Sequence, residues 1–168
     1  MKRFEFVPGD EKVIAPGRTV KRIRALVAIA ALGITPGTTG GYVEKVENLS
    51  GNAWVSGNAW VYGNAQVYGN ARVYGDARVY GDAQVSGDAW VSGNARVSGN
   101  ARVSGNAWVQ QSQDHLQVGP AKSSGRFTTA HKDEKLGVRV NCGCFSGSVL
   151  QFSQRIEKTH ADSPEALQ

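Results

Sequence analysis

From Gly51 to Gln110 the chain reads GNAWVS, GNAWVY, GNAQVY, GNARVY, GDARVY, GDAQVS, GDAWVS, GNARVS, GNARVS, GNAWVQ, ten units of the form G-[N/D]-A-x-V-x. A period this regular decides the architecture before any other feature is weighed. Within each unit Ala and Val stand two apart. In an extended chain both point to one side, and the variable residue between them points to the other. Ser or Tyr follows, then Gly and Asn or Asp, which accept turn and left-handed backbone angles at least cost. Each unit is therefore a very short strand and a bend. Alone it cannot bury its apolar side, but stacked coils can, with parallel strands about 4.8 Å apart along the axis.

The pattern resembles the left-handed parallel β-helix of hexapeptide-repeat proteins, in which three units close one triangular coil. The resemblance implies a mainly β fold. The inward aliphatic positions run from Val55 to Val109, and the small inward residues are Ala59, Ala65 and their counterparts. Val43 and Leu49 carry the aliphatic phase backwards, which sets the boundaries at an N-terminal cap (1–42), a β-helix (43–110) and a C-terminal unit (111–168). With three units per coil, residues 18 apart stack. One face then carries Trp54, Arg72, Trp90 and Trp108, a second Trp60, Arg78 and Arg96, and a third Gln66, Gln84 and Arg102. This placement exposes all four tryptophans of the chain on two faces. Large apolar patches rarely stay in water, so these ladders are candidate interaction surfaces. They suit side-by-side packing into a homotrimer, with Tyr62, Tyr68, Tyr74 and Tyr80 covering the same edges. They also suit a ligand stacked on Trp and Arg in the grooves between subunits.

The ends depart from the period. In the cap, Phe4–Val7 and Thr19–Leu26 read as strands, with VPGD (7–10) and APG (15–17) as turns and TPGTTGG (35–41) leading into the first coil. After the polar QQSQD hinge, strands are expected at His115–Val118, Arg126–His131 and Gly137–Cys144. A helix follows, opened by a capping box of Ser148 and Gln151, with Val149, Phe152 and Ile156 as its apolar face. The result is a small ββα-like unit. The terminal SPEALQ offers Ser as a cap and Pro at the first helical position, a second helix that starts and then stops, as in a truncated chain.

RTVKRIRAL, GGYVEKVENLSGNAWV, the GNA/GDA repeats, HLQVGP, VNCGCFSG and EKTHAD together resemble a group of phage and prophage hexapeptide-repeat proteins. The resemblance spans nearly the whole chain and implies a fold and a phage context more than an activity. The acyltransferase label some members carry rests on the repeat alone.

Net charge is +5, and the basic excess lies mostly in residues 1–50, with eight basic against five acidic side chains. A spread field of this size favours solubility and can attract an anionic ligand; nucleic acid is not the expected partner. The basic residues Lys21, Arg22 and Arg24 precede the apolar run ALVAIAALGI (25–34). That run is too short to span a bilayer. As a signal peptide it starts too deep and lacks a cleavage site, so a cytoplasmic location without membrane association is expected. Cys142 and Cys144 are the only cysteines, which fits a reducing compartment.

Catalytic and metal readings find little. Acyltransferases of the repeat family project a histidine from the coils as a general base, whereas His115, His131 and His160 are all C-terminal. Cys142, Cys144, His115 and His131 could approach a metal across neighbouring strands, but C-x-C is not a zinc knuckle. Ice binding needs small hydroxyls where these faces carry Trp, Arg and Tyr. Calcium repeats need more aspartates than Asp76, Asp82 and Asp88. The chain is therefore expected to be a binding or scaffold protein without cofactor or metal, with a host protein as its partner. The alternatives are sequestration of an anionic small molecule such as a nucleotide signal, and acyl transfer.

Overall fold

Every repeat valine from Val55 to Val109 is fully buried, and every repeat alanine from Ala53 to Ala107 is at most 4% exposed. These two columns form a narrow core down the middle of a parallel β-solenoid. The structure, a computed structural model, describes residues 2–118 and 128–160. It begins with β1 (Phe4–Ala15), β2 (Arg18–Ala25) and β3 (Thr39–Val43). Ten two-residue strands follow, from β4 (Trp54–Val55) to β13 (Trp108–Val109). It closes with β14 (His115–Val118), β15 (Thr128–Asp133), β16 (Gly137–Cys142), β17 (Phe145–Ser148) and the helix α1 (Val149–His160).

Strands one turn apart pair in parallel, so that Trp54 lies beside Arg72, Arg72 beside Trp90, and Trp90 beside Trp108. The second face aligns Tyr42, Trp60, Arg78 and Arg96, and the third aligns Gln66, Gln84 and Arg102. Together they make about four turns. At each corner from Gly51 to Gly105 the glycine has φ between +57° and +72°. A Cβ on Gly69 would sit 3.0 Å from the amide nitrogen of Gly87 in the next turn, so conformation and closeness both demand glycine. Beside it, Asn52 donates to Asn70 and Asn70 to Asp88, each at 3.0 Å, an amide ladder that ties successive corners.

The N-terminal hairpin extends the second face. Antiparallel β1, β2 and β3 join the parallel strands β5 (Trp60–Val61), β8 (Arg78–Val79) and β11 (Arg96–Val97) in one six-stranded sheet. The turn expected at VPGD is instead an irregularity inside β1, where the register slips between Phe6 and Glu11. Gly9 (φ +78°) absorbs the extra residues, and Arg22 and Tyr42 pin Asp10 from across the sheet, so the strand runs on to Ala15. The apolar run after β2 folds back through an Ile29–Ile34 bridge. Ile29 enters the core cluster with Phe4 and Trp54, and Leu32 and Ile34 pack against it.

Over its described residues the C-terminal unit is a four-stranded antiparallel meander followed by one helix, not a ββα unit. The second expected strand is observed at Thr128–Asp133. The third ends at Cys142, because Gly143 (φ +59°) reverses the chain into β17. Ser148 and Gln151 do form a reciprocal capping box, at 2.9 and 3.2 Å. Phe152 packs on Phe145 with ring centroids 5.3 Å apart, but Val149 points to solvent at 55% exposure, so the apolar face is narrower than expected. The second helix expected at 163–168 lies outside the described residues. No helix among the described residues is long and apolar enough to cross a membrane.

Candidate binding surface

Because each outward residue is the x of an x-V strand, the solenoid lines these side chains up about one strand spacing apart. On the first face the ladder is not uniformly exposed. Trp54 is 4% exposed, which corrects the expectation that all four tryptophans face solvent. The reason is the 25–34 run: Ile29, Leu32 and Ile34 lie over the first turn as a clamp that periodicity alone does not reveal. Beyond the clamp, Trp90 and Trp108 remain 39% and 43% exposed and meet edge to face at 6.3 Å. Tyr74 adds a second edge contact to Trp90. Arg72 lies between the clamp and these rings. Its Nη2 donates to the Ala31 carbonyl at 3.4 Å, and its guanidinium carbon is 5.1 Å from the Trp90 ring centre.

Two clefts open on this face, on either side of Arg72. One, of about 300 Å³, is lined by Leu32, Ile34, Trp54, Ser56, Arg72, Tyr74 and Trp90. The other, of about 490 Å³, is lined by Arg72, Asp88, Trp90, Asn106, Ala107, Trp108 and Glu134. Leu32, Ile34 and Glu134 come from outside the repeat, so no pattern within the repeat could point to them. The corner residues Tyr74 and Asp88 were legible in principle, since a corner lies next to the outward position that follows or precedes it.

The second face is largely covered by its own cation–ring stacking, although the buried Trp60 Nε1 has no acceptor. Arg78 stacks on Trp60 at 4.3 Å, Arg22 on Tyr42 at 4.2 Å, and the Lys12 ammonium sits 4.1 Å from the Tyr42 ring centre. Alternating cations and rings along one column stabilise each other. Only Arg96 at the top of that column is exposed. On the third face Arg102 reaches the Gly143 carbonyl at 3.3 Å, tying the C-terminal sheet to the solenoid. Tyr62 and Tyr80 stack face to face at 5.0 Å over their own corner.

The candidate metal residues are not brought together. His115 and His131 are cross-strand neighbours, but Cys142 pairs with Thr128, three residues along β15 and on the opposite side of the pleat. Cys144 lies in the turn beyond the strand and is exposed. Among the described residues no group of three or more His, Cys, Asp or Glu could hold a metal ion. His131 instead faces the last coil, 1% exposed, with Nε2 3.3 Å from the Ser104 carbonyl. Burial pulls its pKa down to about 4 and lowers that of His115 as well. Burial opposes charge on Asp133 too. There it is outweighed by Arg139 at 2.7 Å and the amides of Leu136 and Lys135, which hold the carboxyl below its ordinary range.

Against known families, the YdcK beta solenoid repeat matches this chain in overlapping windows: 65–81, 71–87, 77–93, 83–99, 89–104 and 95–111. The windows advance by six residues, in step with the strands described above. The chain is a repeat β-solenoid protein. No curated protein matches it. The matched windows contain Arg72, Trp90 and Trp108 but neither the clamp nor the C-terminal sheet. Of the residues around the exposed rings, Leu32, Ile34 and Glu134 thus lie outside what the repeat family describes.

Proposed function

We propose that this solenoid is a non-enzymatic binding or scaffold protein of phage or prophage origin. Its coils are left-handed hexapeptide coils, and it works in the cytoplasm as a homotrimer. The observation that carries this reading is the pair Trp90 and Trp108, adjacent and about two-fifths exposed on a parallel sheet. A rigid aromatic pair left in water after the clamp has covered Trp54 is surface kept for a partner, since rigid rings contribute large contact area at little entropy cost. A second copy is the first partner, and a host protein bound by the assembled trimer is the next. The resemblance in the flanking motifs supports the phage context. Size-exclusion chromatography with light scattering tests the assembly. The wild-type chain runs as a trimer, and Trp90→Asp runs as a folded monomer because an unpaired charge in an interface costs several kcal/mol. A wild-type monomer at high concentration would sink the trimer.

A second reading has its own support. Arg72, held against Trp90, suits sequestration of an anionic small molecule such as a nucleotide signal. Native mass spectrometry of the protein purified from cells, with an ultraviolet spectrum of the acid-released supernatant, tests it. A released species absorbing near 260 nm supports sequestration, and a clean, ligand-free protein counts against it. Acyl transfer gains no such support, since His115 and His131 belong to the end cap rather than to a cleft on the coils.

A further inference from the structure

Two buried N–H groups on the first face have no acceptor: Nε1 of Trp54 and Nε of Arg72. Buried donors in native proteins are nearly always paired, because leaving one unmade forfeits its hydration for nothing. Here both side chains line the same cleft of about 300 Å³, between the clamp and the coils. Its other walls are Leu32, Ile34, Ser56, Tyr74 and Trp90: two aliphatic chains, two aromatic rings and a hydroxyl. We infer that this cleft binds a compact, ring-bearing monoanion. The flat ring lies against Trp90 beside Tyr74, and its oxyanion pairs with the Arg72 guanidinium.

The chemistry follows from the lining. Arg72 is the only charged residue among the lining residues, so one negative charge is matched and a second is not. The larger cleft beyond Arg72 is the wrong site for an anion, because Asp88 and Glu134 line it. Arg72 is already oriented by the Ala31 carbonyl and the Trp90 ring, so little ordering remains when the ligand enters. The volume is at the small end of ligand sites and suits a compact ligand. Two sources share this chemistry, an aryl carboxylate and a cyclic nucleoside phosphodiester.

This inference rests on the sequestration reading for the kind of ligand and adds the place. The test is titration of the full chain with 1-naphthoate and, separately, with 3′,5′-cyclic AMP, followed by calorimetry. One probe binds saturably with one site per chain, and which one binds identifies the source. Lys158→Ala, on the exposed side of α1, leaves that affinity unchanged. Arg72→Leu and Ile34→Trp, the latter filling the cleft while keeping every donor, each weaken binding by at least about tenfold. Circular dichroism of each variant verifies that the solenoid persists. No saturable binding of either probe up to about 1 mM overturns the inference. So does binding that survives Ile34→Trp, although sequestration elsewhere on the surface would then stand. A ligand-free protein from cells alongside saturable, Arg72-dependent binding would do the reverse, sinking sequestration and keeping the site.

Discussion

The first and last coils face the same difficulty, a ring of main-chain groups with no further coil to pair with, and they meet it by different means. At the N-terminal end the main chain itself continues the ladder. The amides of Tyr42, Glu44 and Ser50 donate to the carbonyls of Ala59, Val61 and Val67 at 2.9–3.0 Å, and a few side chains assist at the corners: Asn48 at Ala65 and Gly63, Arg22 at the Gly57 carbonyl, and Glu44 at the Gly63 amide. At the C-terminal end side chains take over. Thr129 accepts from the Arg102 amide, Asn141 donates to the Arg102 carbonyl, and His131 meets the Ser104 carbonyl. Ser112 accepts from the Arg96 amide, and Asp114 from the amides of Gln110 and Gln111. Both devices blunt an open edge that would otherwise recruit another chain. They differ in what they demand of the sequence. A main-chain cap tolerates most side chains, whereas a side-chain cap requires particular ones at particular positions.

The largest effect should come from Asp133→Ala. Its side chain has no solvent exposure, pairs with Arg139 and accepts from two amides of the following turn. Removing it strands a largely buried guanidinium, a change worth about 3–5 kcal/mol. Hydrogen exchange should then quicken across residues 128–148 while the repeat amides stay protected. Unchanged exchange in both regions would show that the C-terminal sheet is held by something other than its polar residues.

Titration should reach the same cap with a somewhat smaller effect. His131 is neutral when folded, with a pKa near 4, against 6.5 unfolded. Between those values the unfolded chain binds the extra proton, so stability rises with pH across that window and is lost as pH falls from 6.5 towards 4. The full effect is about 3 kcal/mol. Asp133 is shifted downward too, from the ordinary 3.8, so its carboxyl titrates below this window and does not mask the trend. Melting temperatures recorded from pH 7 to pH 4 should therefore fall more steeply for the wild type than for His131→Gln. Parallel curves would remove His131 from the account.

The same contrast explains which parts of the molecule are legible in the sequence. The columns Trp54/Arg72/Trp90/Trp108 and Trp60/Arg78/Arg96 follow from local alternation and a fixed repeat, both of which a single sequence states outright. The capping box at Ser148 is equally local. The clamp is not. ALVAIAALGI has no period, and only the presence of Trp54 beneath it explains why Ile29 is buried. The alternating Thr129, His131 and Asp133 read as the wet side of a strand, because polar residues usually face water. Here that side meets the spent edge of the last coil, where main-chain groups want partners more than apolar contact. The candidate ligand cleft hides for a related reason, since it is made by a local repeat and a non-local clamp together.

Asp10→Ala should have the smallest effect, although Asp10 sits in a dense cluster, accepting from Arg22 at 2.9 Å and from the Tyr42 hydroxyl at 3.0 Å. The pair lies at the surface, where water and salt compensate for a lost partner. Arg22 would keep its place through the carbonyls of Gly40 and Gly57, and Tyr42 through the parallel ladder to Trp60. The melting temperature should move by little more than the scatter between replicates, and less in high salt than in low. A loss approaching that of Asp133→Ala would mean that the hairpin, too, is held by its side chains. The distinction between the two ends would then be one of appearance, and the bulge at Pro8–Asp10 would be the feature that fixes the register of the whole six-stranded sheet.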